Sequence, residues 1–409
     1  MTIYSNRQFT APEDEPTKAQ TVEKPQDKSS ESPPWLNELY IISWLIFFSL
    51  LGTLARVGVE AITQYPDAPV TSRVLWANLG GSFLMGFLIE DRNLFGLPPD
   101  LGPSPAKDDA PPEDSKLSAT HLKFKKAIPL YIGLTTGFCG SFTSFSTYLQ
   151  DAFLALTNAL PTFSRTTAYR NARASASRSG GFSFEALIAV LILHPAVSLA
   201  GLRAGTHLAE FLRPVLPQQI FHTRLTVKVL NPLFVLVGFG CWIFGALFLT
   251  IFPPASGPSP VNWRARATIP LLFAPPGCII RFYLAKYFNR PSRQNFPLGT
   301  FLANIFGTLV LGMAWDLLHA RSVGASIAGG NACAILIGIQ QGFCGCLTTV
   351  STWVVELNGM NWRAAWIYGL ASVGVALAGL VVIMGSMGWT IGFAEPALST
   401  SGYMHEIDG

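Results

Sequence analysis

Apolar residues in this chain come in long blocks separated by short polar or proline-rich stretches. A bilayer-crossing helix needs about 20 mostly apolar residues. Nine blocks meet that standard, and predict helices at about 38–62, 73–91, 128–159, 184–212, 230–252, 268–288, 297–318, 331–358 and 362–388. Residues 1–36 hold no apolar run and are rich in Pro, Glu, Lys, Ser and Gln. Such a segment cannot offset its ordering entropy, so a disordered tail is expected. The first apolar block is followed at once by others, so it is expected to remain as a span and not to be removed as a signal peptide. Polar loops are expected at Pro98–Lys126 and Phe163–Gly181, the second carrying Arg165, Arg170, Arg173 and Arg178, no acid and many small residues.

The blocks repeat. Span 1 contains Gly52-x-x-x-Arg56 and span 6 contains Gly277-x-x-x-Arg281. Span 2 reads Asn78-x-x-Gly81-Ser82-x-x-x-Gly86-x-x-x-Glu90, and span 7 reads Asn304-x-x-Gly307-Thr308-x-x-x-Gly312-x-x-x-Asp316. Span 3 carries GFCGSFTSFSTYLQD from Gly137 to Asp151, matched in span 8 by GFCGCLTTVSTWVVE from Gly342 to Glu356. Ser198 and Gly205 in span 4 are echoed by Ser372 and Gly379 in span 9. Coincidences in this order mark an internal duplication. A four-span unit begins and ends on one side of a membrane, so the unmatched span 5 turns the second copy upside down, as in inverted-repeat transporters. The expected fold is an all-α integral membrane protein of nine transmembrane helices: two inverted four-helix repeats, a single linker helix, and a broken third helix in each repeat. The expected division is a tail at 1–36, repeat 1 at 37–213, linker at 214–262, repeat 2 at 263–390 and a second tail at 391–409.

Composition agrees. Half of the 409 residues are hydrophobic, 13% are charged and mean hydropathy is +0.37, whereas soluble domains carry about 25% charged residues. A net charge of +4, spread between apolar blocks, offers no nucleic-acid surface. Lys and Arg concentrate on the side of the amino terminus, and none follows Arg363. The positive-inside rule then puts the amino terminus in the cytoplasm and the carboxyl terminus outside. The six cysteines lie in or beside apolar blocks without zinc-type spacing and read as reduced core thiols.

The repeated segments carry the candidate chemistry. Phe145-Ser146-Thr147-Tyr148 and Val350-Ser351-Thr352-Trp353 each set aromatic or apolar positions three apart beside hydroxyls. Ring edges are partially positive and hydroxyls donate hydrogen bonds, so both can replace water around an anion; ordinary helix packing is the alternative. Glycines at Gly140 and Gly345 weaken the helix, either freeing carbonyls for a cation or allowing close helix approach. Asn78 and Asn304 can donate to an anion or bridge helices. Arg56 and Arg281 can attract an anion or snorkel to the headgroups. Asp151 and Glu356 read as caps or ion-pair partners at a vestibule, and Glu90 and Asp316 as interfacial.

With these motifs together, the chain resembles the small fluoride channels, Fluc, and more closely their fused eukaryotic form, FEX, over about residues 38–390. The repeated GFCG-x-x-T-[ST]-x-S-T carries most of the resemblance. It implies a structural Na⁺ held by backbone carbonyls of Gly140, Thr143, Gly345 and Thr348. It implies a fluoride path along Phe145, Ser146, Thr147, Tyr148, Val350, Ser351, Thr352 and Trp353. Asn78, Asn304, Ser198, Tyr368 and Ser372 would join the path, and Arg56, Arg281, Asp151 and Glu356 its vestibules. One path would pair Phe145 with Trp353 and the other Val350 with Tyr148. The second lacks a phenylalanine, and where repeat 2 has Tyr368, repeat 1 has His194, so one working and one degenerate pore are expected.

The function so implied is passive fluoride export by a monomer, the fused halves completing the pseudo-dimer, in a eukaryotic plasma membrane. The rival reading is a proton-coupled anion or metabolite transporter, which requires a titratable midplane group such as His194. Enzyme chemistry lacks a sequence basis: there is no His-Glu-x-x-His, nucleophile elbow, clustered carboxylates within the spans, or Gly-x-x-x-x-Gly-Lys-[Ser/Thr] loop.

Overall fold

A computed structural model describes residues 33–65, 68–96, 114–160, 180–217, 226–251, 263–289, 296–320 and 330–393. The regular structure of the described residues is all helical. In order the helices are α1 (Pro34–Thr63), α2 (Leu75–Glu90), α3 (Asp114–Lys125), α4 (residues 129–142), α5 (Phe145–Leu156), α6 (Gly180–Leu212), α7 (Asn231–Ile251), α8 (Trp263–Phe288), α9 (Leu298–His319), α10 (residues 330–347), α11 (Ser351–Gly359) and α12 (Trp362–Thr390). Apart from residues 33–36, 180–181 and 391–393, the expected disordered tail, the arginine loop and the carboxyl tail lie outside the described residues, while α1 already begins at Pro34. The polar loop expected at 98–126 contains a helix, α3, which the sequence pattern missed because its apolar content is too low to register as a block.

Seven of the described helical stretches are long and apolar enough to cross a membrane: Pro34–Thr63, Gly180–Leu212, Lys228–Ile251, Ala267–Phe288, Leu298–His319, Ala332–Gly359 and Trp362–Thr390. Of the other two apolar blocks, α2 has 16 residues and the third is divided into α4 and α5. Two breaks dominate the interior. At Thr143 and Thr348 the backbone leaves the helix with φ −90°, ψ 153° and φ −88°, ψ 155°, and a wider π-helical turn precedes each break, at Gly133–Cys139 and Ile339–Cys344. Such turns often sit at functional sites.

The broken segments form the centre. Every residue of α5 from Phe145 to Ala155 is buried. The helix packs on α6 of its own half and on α9 and α12 of the other, while α11 packs on α2 and α6. By contrast, α7 lies on the periphery, with only Asn231 and Gly238 buried. It bridges the halves through one indole on each side. Trp44 of α1 donates to Asn231 at 2.9 Å and stacks on Phe234 at 3.5 Å, and Trp242 donates to the Leu272 carbonyl of α8 at 3.1 Å. That carbonyl is free because Pro276, four residues on, has no N–H.

Polar contacts sort the helix ends. At one end of the bundle Glu38 pairs with Lys286 at 2.8 Å, Arg213 with Glu90 at 3.3 Å, and Arg203 donates to Asn358 at 2.7 Å. Asn289, just past α8, donates to Glu356 near the end of α11 at 3.2 Å, so the start of α1 and the ends of α2, α6, α8 and α11 share a face. Lys125 of α3 closes this end, its ammonium donating to the carbonyls of Leu88, Ile89 and Asp91 at 3.0, 2.7 and 2.6 Å. It caps α2 where the helix dipole favours a cation.

Candidate functional site at the crossing of the broken helices

Each break is opened by an asparagine. Asn78 Oδ1 accepts the Ser144 amide at 2.9 Å and Asn304 Oδ1 accepts the Thr349 amide at 2.8 Å, and each Nδ2 returns to the same residue's carbonyl, at 3.5 and 3.2 Å. An amide side chain thus replaces the helical partner at the same place in both copies. Three residues further on, the Thr147 amide goes to Ser144 Oγ at 3.3 Å and the Thr352 amide to Thr349 Oγ1 at 3.5 Å. Ser144, Thr147, Thr349 and Thr352 are the i+4 residues whose amides would otherwise bond the carbonyls of Gly140, Thr143, Gly345 and Thr348. All four carbonyls lose their helical donors together.

The breaks meet face to face and cap each other. Thr143 Oγ1 accepts the amides of Val350 and Ser351, each at 3.2 Å, while Thr348 Oγ1 accepts the Ser146 amide at 3.1 Å. Ser351 Oγ donates to the Cys139 carbonyl at 3.1 Å and Ser146 Oγ to that of Cys344 at 3.5 Å. The Ser146 and Ser351 contacts are reciprocal between the copies, and Thr143 takes the Val350 amide in addition. Ser146, Ser351, Thr143 and Thr348 are thus fully buried and joined across the halves.

The arginines complete the crossing. Both are buried, each against a glycine of the other half: the Arg56 guanidinium lies on Gly345 and that of Arg281 on Gly140, where a Cβ would overlap it. Arg281 donates to the carbonyls of Cys346 at 2.7 Å and Thr136 at 2.8 Å; Arg56 donates to that of Gln341. Arg56 Nε and Nη1 and Arg281 Nη1 have no hydrogen-bond partner among the described residues. Arg56 and Arg281, two of the positions assigned to vestibules, are therefore buried at the crossing, where backbone carbonyls accept from their guanidinium groups. Asp151 and Glu356 are instead tied to polar side chains. Asp151 binds Arg73 at 3.1 Å and accepts from Ser72 at 2.7 Å; Glu356 accepts from Thr300, Tyr368 and Asn289 at 2.6, 2.8 and 3.2 Å.

The aromatic positions are unequal. Phe145 and Trp353 meet across the halves edge to face, with centroids 5.3 Å apart and planes at 69°, and Trp353 Nε1 is buried without a partner among the described residues. Tyr148 stacks on His194 at 4.6 Å and donates its hydroxyl to the Leu191 carbonyl at 3.1 Å. Val350 is buried and offers no ring. Of the remaining path positions, Ser198 Oγ is buried and unpartnered among the described residues, Ser372 bonds its own helix at Tyr368 O, Thr147 accepts from Ser144, and Thr352 is half-buried. Ser144, Thr349, Ser72, Thr136 and Cys346 were not singled out from sequence. Ser144 and Thr349 occupy the same place in both repeated segments, a register that pointed to them.

Comparison with known proteins gives this architecture a context. A chain named Fluoride export protein 1 from Neurospora crassa is 48% identical over 376 residues, covering 88% of this chain and 68% of that one. Fluoride export protein 1 of Candida albicans is 31% identical over 355 residues, with 86% of this chain and 81% of that one covered. A smaller protein, Fluoride-specific ion channel FluC 1 of Symbiobacterium thermophilum, is 32% identical over 119 residues, which are 28% of this chain but 89% of that one. No solved structure matches. The family described as CrcB-like protein, Camphor Resistance (CrcB), matches residues 43–190 and 268–386, two stretches that each contain one of the broken helices. The chain belongs to this CrcB-like family, in its fused two-domain form.

Proposed function

We propose that the chain is a passive, fluoride-selective channel of nine transmembrane helices that exports fluoride past Phe145 and Trp353, and that the second path, past Val350 and Tyr148, is degenerate. The names of the relatives supply the ion, and neither they nor the site suggests an enzyme. The observation that carries the choice of path is the cross-half pair of Phe145 with Trp353, a ring edge beside an unpaired buried indole N–H. A small, tightly hydrated anion needs donors that replace its water yet release it. Val350 and a fully bonded Tyr148 provide none.

Two inverted repeats are supported by the reciprocity of the crossing contacts, which is what a two-fold axis produces. Nine crossings are supported by the sorted helix ends, since the start of α1 and the ends of α2, α6, α8 and α11 share a face only if the spans alternate. The four carbonyls without helical donors suit a Na⁺ held by Gly140, Thr143, Gly345 and Thr348. When bound, the ion supplies a charge that locks the two breaks together. A cytoplasmic amino terminus in a plasma membrane and a monomeric state complete the reading, in which a negative-inside potential drives fluoride out at about 2.3 kcal/mol per charge per 100 mV.

The test is efflux from proteoliposomes read by fluoride and chloride electrodes. Rapid, uncoupled, fluoride-only loss is expected, abolished by Phe145→Ile and preserved in Val350→Ile. Equal losses from both substitutions refute the assignment of paths, and flux that requires a proton gradient supports a coupled transporter instead.

A further inference from the structure

The two copies of the site spend their hydrogen-bond donors differently, and the difference traces to two adjacent residues of α6. Asn78 Oδ1 accepts a backbone N–H, so the atom facing His194 Nδ1 at 3.1 Å is the amide nitrogen, which only donates. Nδ1 is therefore the acceptor and the imidazole proton sits on Nε2. That proton points to Ser72 Oγ at 2.7 Å, and Ser72 donates onward to Asp151 at 2.7 Å. Arg73 holds the carboxylate in place through its backbone amide at 3.0 Å and its guanidinium at 3.1 Å. The chain of bonds has one direction, and it fixes His194 with its acceptor nitrogen against Asn78. Both amide hydrogens of Asn78 are thereby occupied, one by Ser144 and one by His194.

Pro195, the next residue, acts on the other donor. It has no N–H, so the Leu191 carbonyl four residues before it lacks a helical partner. Tyr148 places its hydroxyl there, at 3.1 Å, while its ring stacks on His194. In the other repeat neither event occurs. Tyr368 stands in the place of His194 and directs its hydroxyl to Glu356 at 2.8 Å, and Gly369 stands in the place of Pro195. Asn304 retains one amide hydrogen with no partner among the described residues, and Trp353 retains its indole N–H.

We infer that His194 and Pro195 disarm the path past Val350 and Tyr148, occupying from within the protein the two donors that an anion would use. This rests on the channel reading above, and adds a cause to it: the second path is closed by donor capture as well as by the missing phenylalanine. Val350→Phe alone then cannot open it.

The experiment starts from Phe145→Ile, in which the first path is lost, and follows fluoride efflux from liposomes. Adding Val350→Phe is expected to leave efflux at background. Adding His194→Tyr and Pro195→Ala to that double variant is expected to raise efflux at least about tenfold, the equivalent of one regained hydrogen bond. Recovery in Phe145→Ile/Val350→Phe alone overturns the inference, and so does background efflux in the quadruple variant. A silent wild-type chain refutes the channel reading instead, and the two failures are thus distinct. A second measurement is independent of flux. Nitrogen-15 spectra of the wild-type chain, with His194 assigned by comparison to His194→Phe, are expected to show a neutral ring protonated on Nε2 with a hydrogen-bonded Nδ1. The opposite tautomer overturns the inference.

Discussion

Replacing Gly140 by alanine tests the crossing most sharply, because the usual sign of the substitution is reversed. Gly140 has helical dihedrals, φ −68° and ψ −30°, so alanine fits the backbone and would ordinarily stabilise a helix by about 0.5–1 kcal/mol. Here the new methyl would overlap the Arg281 guanidinium. Arg281 must withdraw, giving up its bonds to the carbonyls of Cys346 at 2.7 Å and Thr136 at 2.8 Å. Hydrogen bonds to a charged group are worth about 1.5–3 kcal/mol each, so about 3–6 kcal/mol is lost and about 2–5 kcal/mol remains after the helical gain. Gly345→Ala is the internal control: Arg56 opposite has one carbonyl partner, Gln341, and its net cost is about 1–2 kcal/mol. Tryptophan fluorescence during denaturant unfolding in detergent measures both. In an Arg281→Met background the cost of Gly140→Ala should vanish or change sign, as a double-mutant cycle requires of directly coupled residues. An unchanged cost in that background, or Gly345→Ala as damaging as Gly140→Ala, refutes the contact.

Three further outcomes follow from the geometry. Trp353→Phe keeps the ring edge and removes the unpaired N–H, so fluoride efflux should fall by about tenfold with chloride still excluded; unchanged efflux would mean that the indole donor is not used. If Gly140, Thr143, Gly345 and Thr348 hold Na⁺, the unfolding midpoint should rise with Na⁺ concentration at constant ionic strength and stay flat with N-methylglucamine. Lys125 titrates on folding: burial pushes its ammonium down to about 8 from the ordinary 10.5, so between those values the unfolded chain binds more protons and stability rises with pH. The gain approaches about 3 kcal/mol across that window, and Lys125→Met, which removes the titrating group, should show no such rise.

The sequence made the scaffold legible because membrane helices and duplications are both written in local spacing. A run of apolar residues has one use in a bilayer, and a motif in register at two places identifies its own partner. The position of the breaks was readable from GFCG-x-x-T for the same reason. What holds the breaks open was not. Ser144 and Thr349 act through their backbone amides as well as their hydroxyls, and any residue has an amide. The partners of Arg56 and Arg281 are carbonyls of distant segments, which no side-chain pattern records. Arg281 has no carboxylate in its own span and Arg56 has Glu60 one turn on, and neither sequence context records the interior acceptors that only the folded crossing provides.

The same limit explains why the asymmetry of the copies was half visible. Phe145 against Val350 is a change of side chain, and it can be read directly. Asn78 and Asn304 are the same residue in the same motif, yet they differ in what they can offer an anion, because one faces an imidazole nitrogen and the other does not. Tyr148 differs from Trp353 in the same way, since a proline 47 positions later along the chain leaves a carbonyl for its hydroxyl. A donor is functional only if nothing nearer has taken it. In a site made from a duplicated motif, the decisive residues are therefore those that bond to the motif rather than those that compose it. Drift after duplication can silence one copy through a neighbour such as His194 while leaving its asparagine in place.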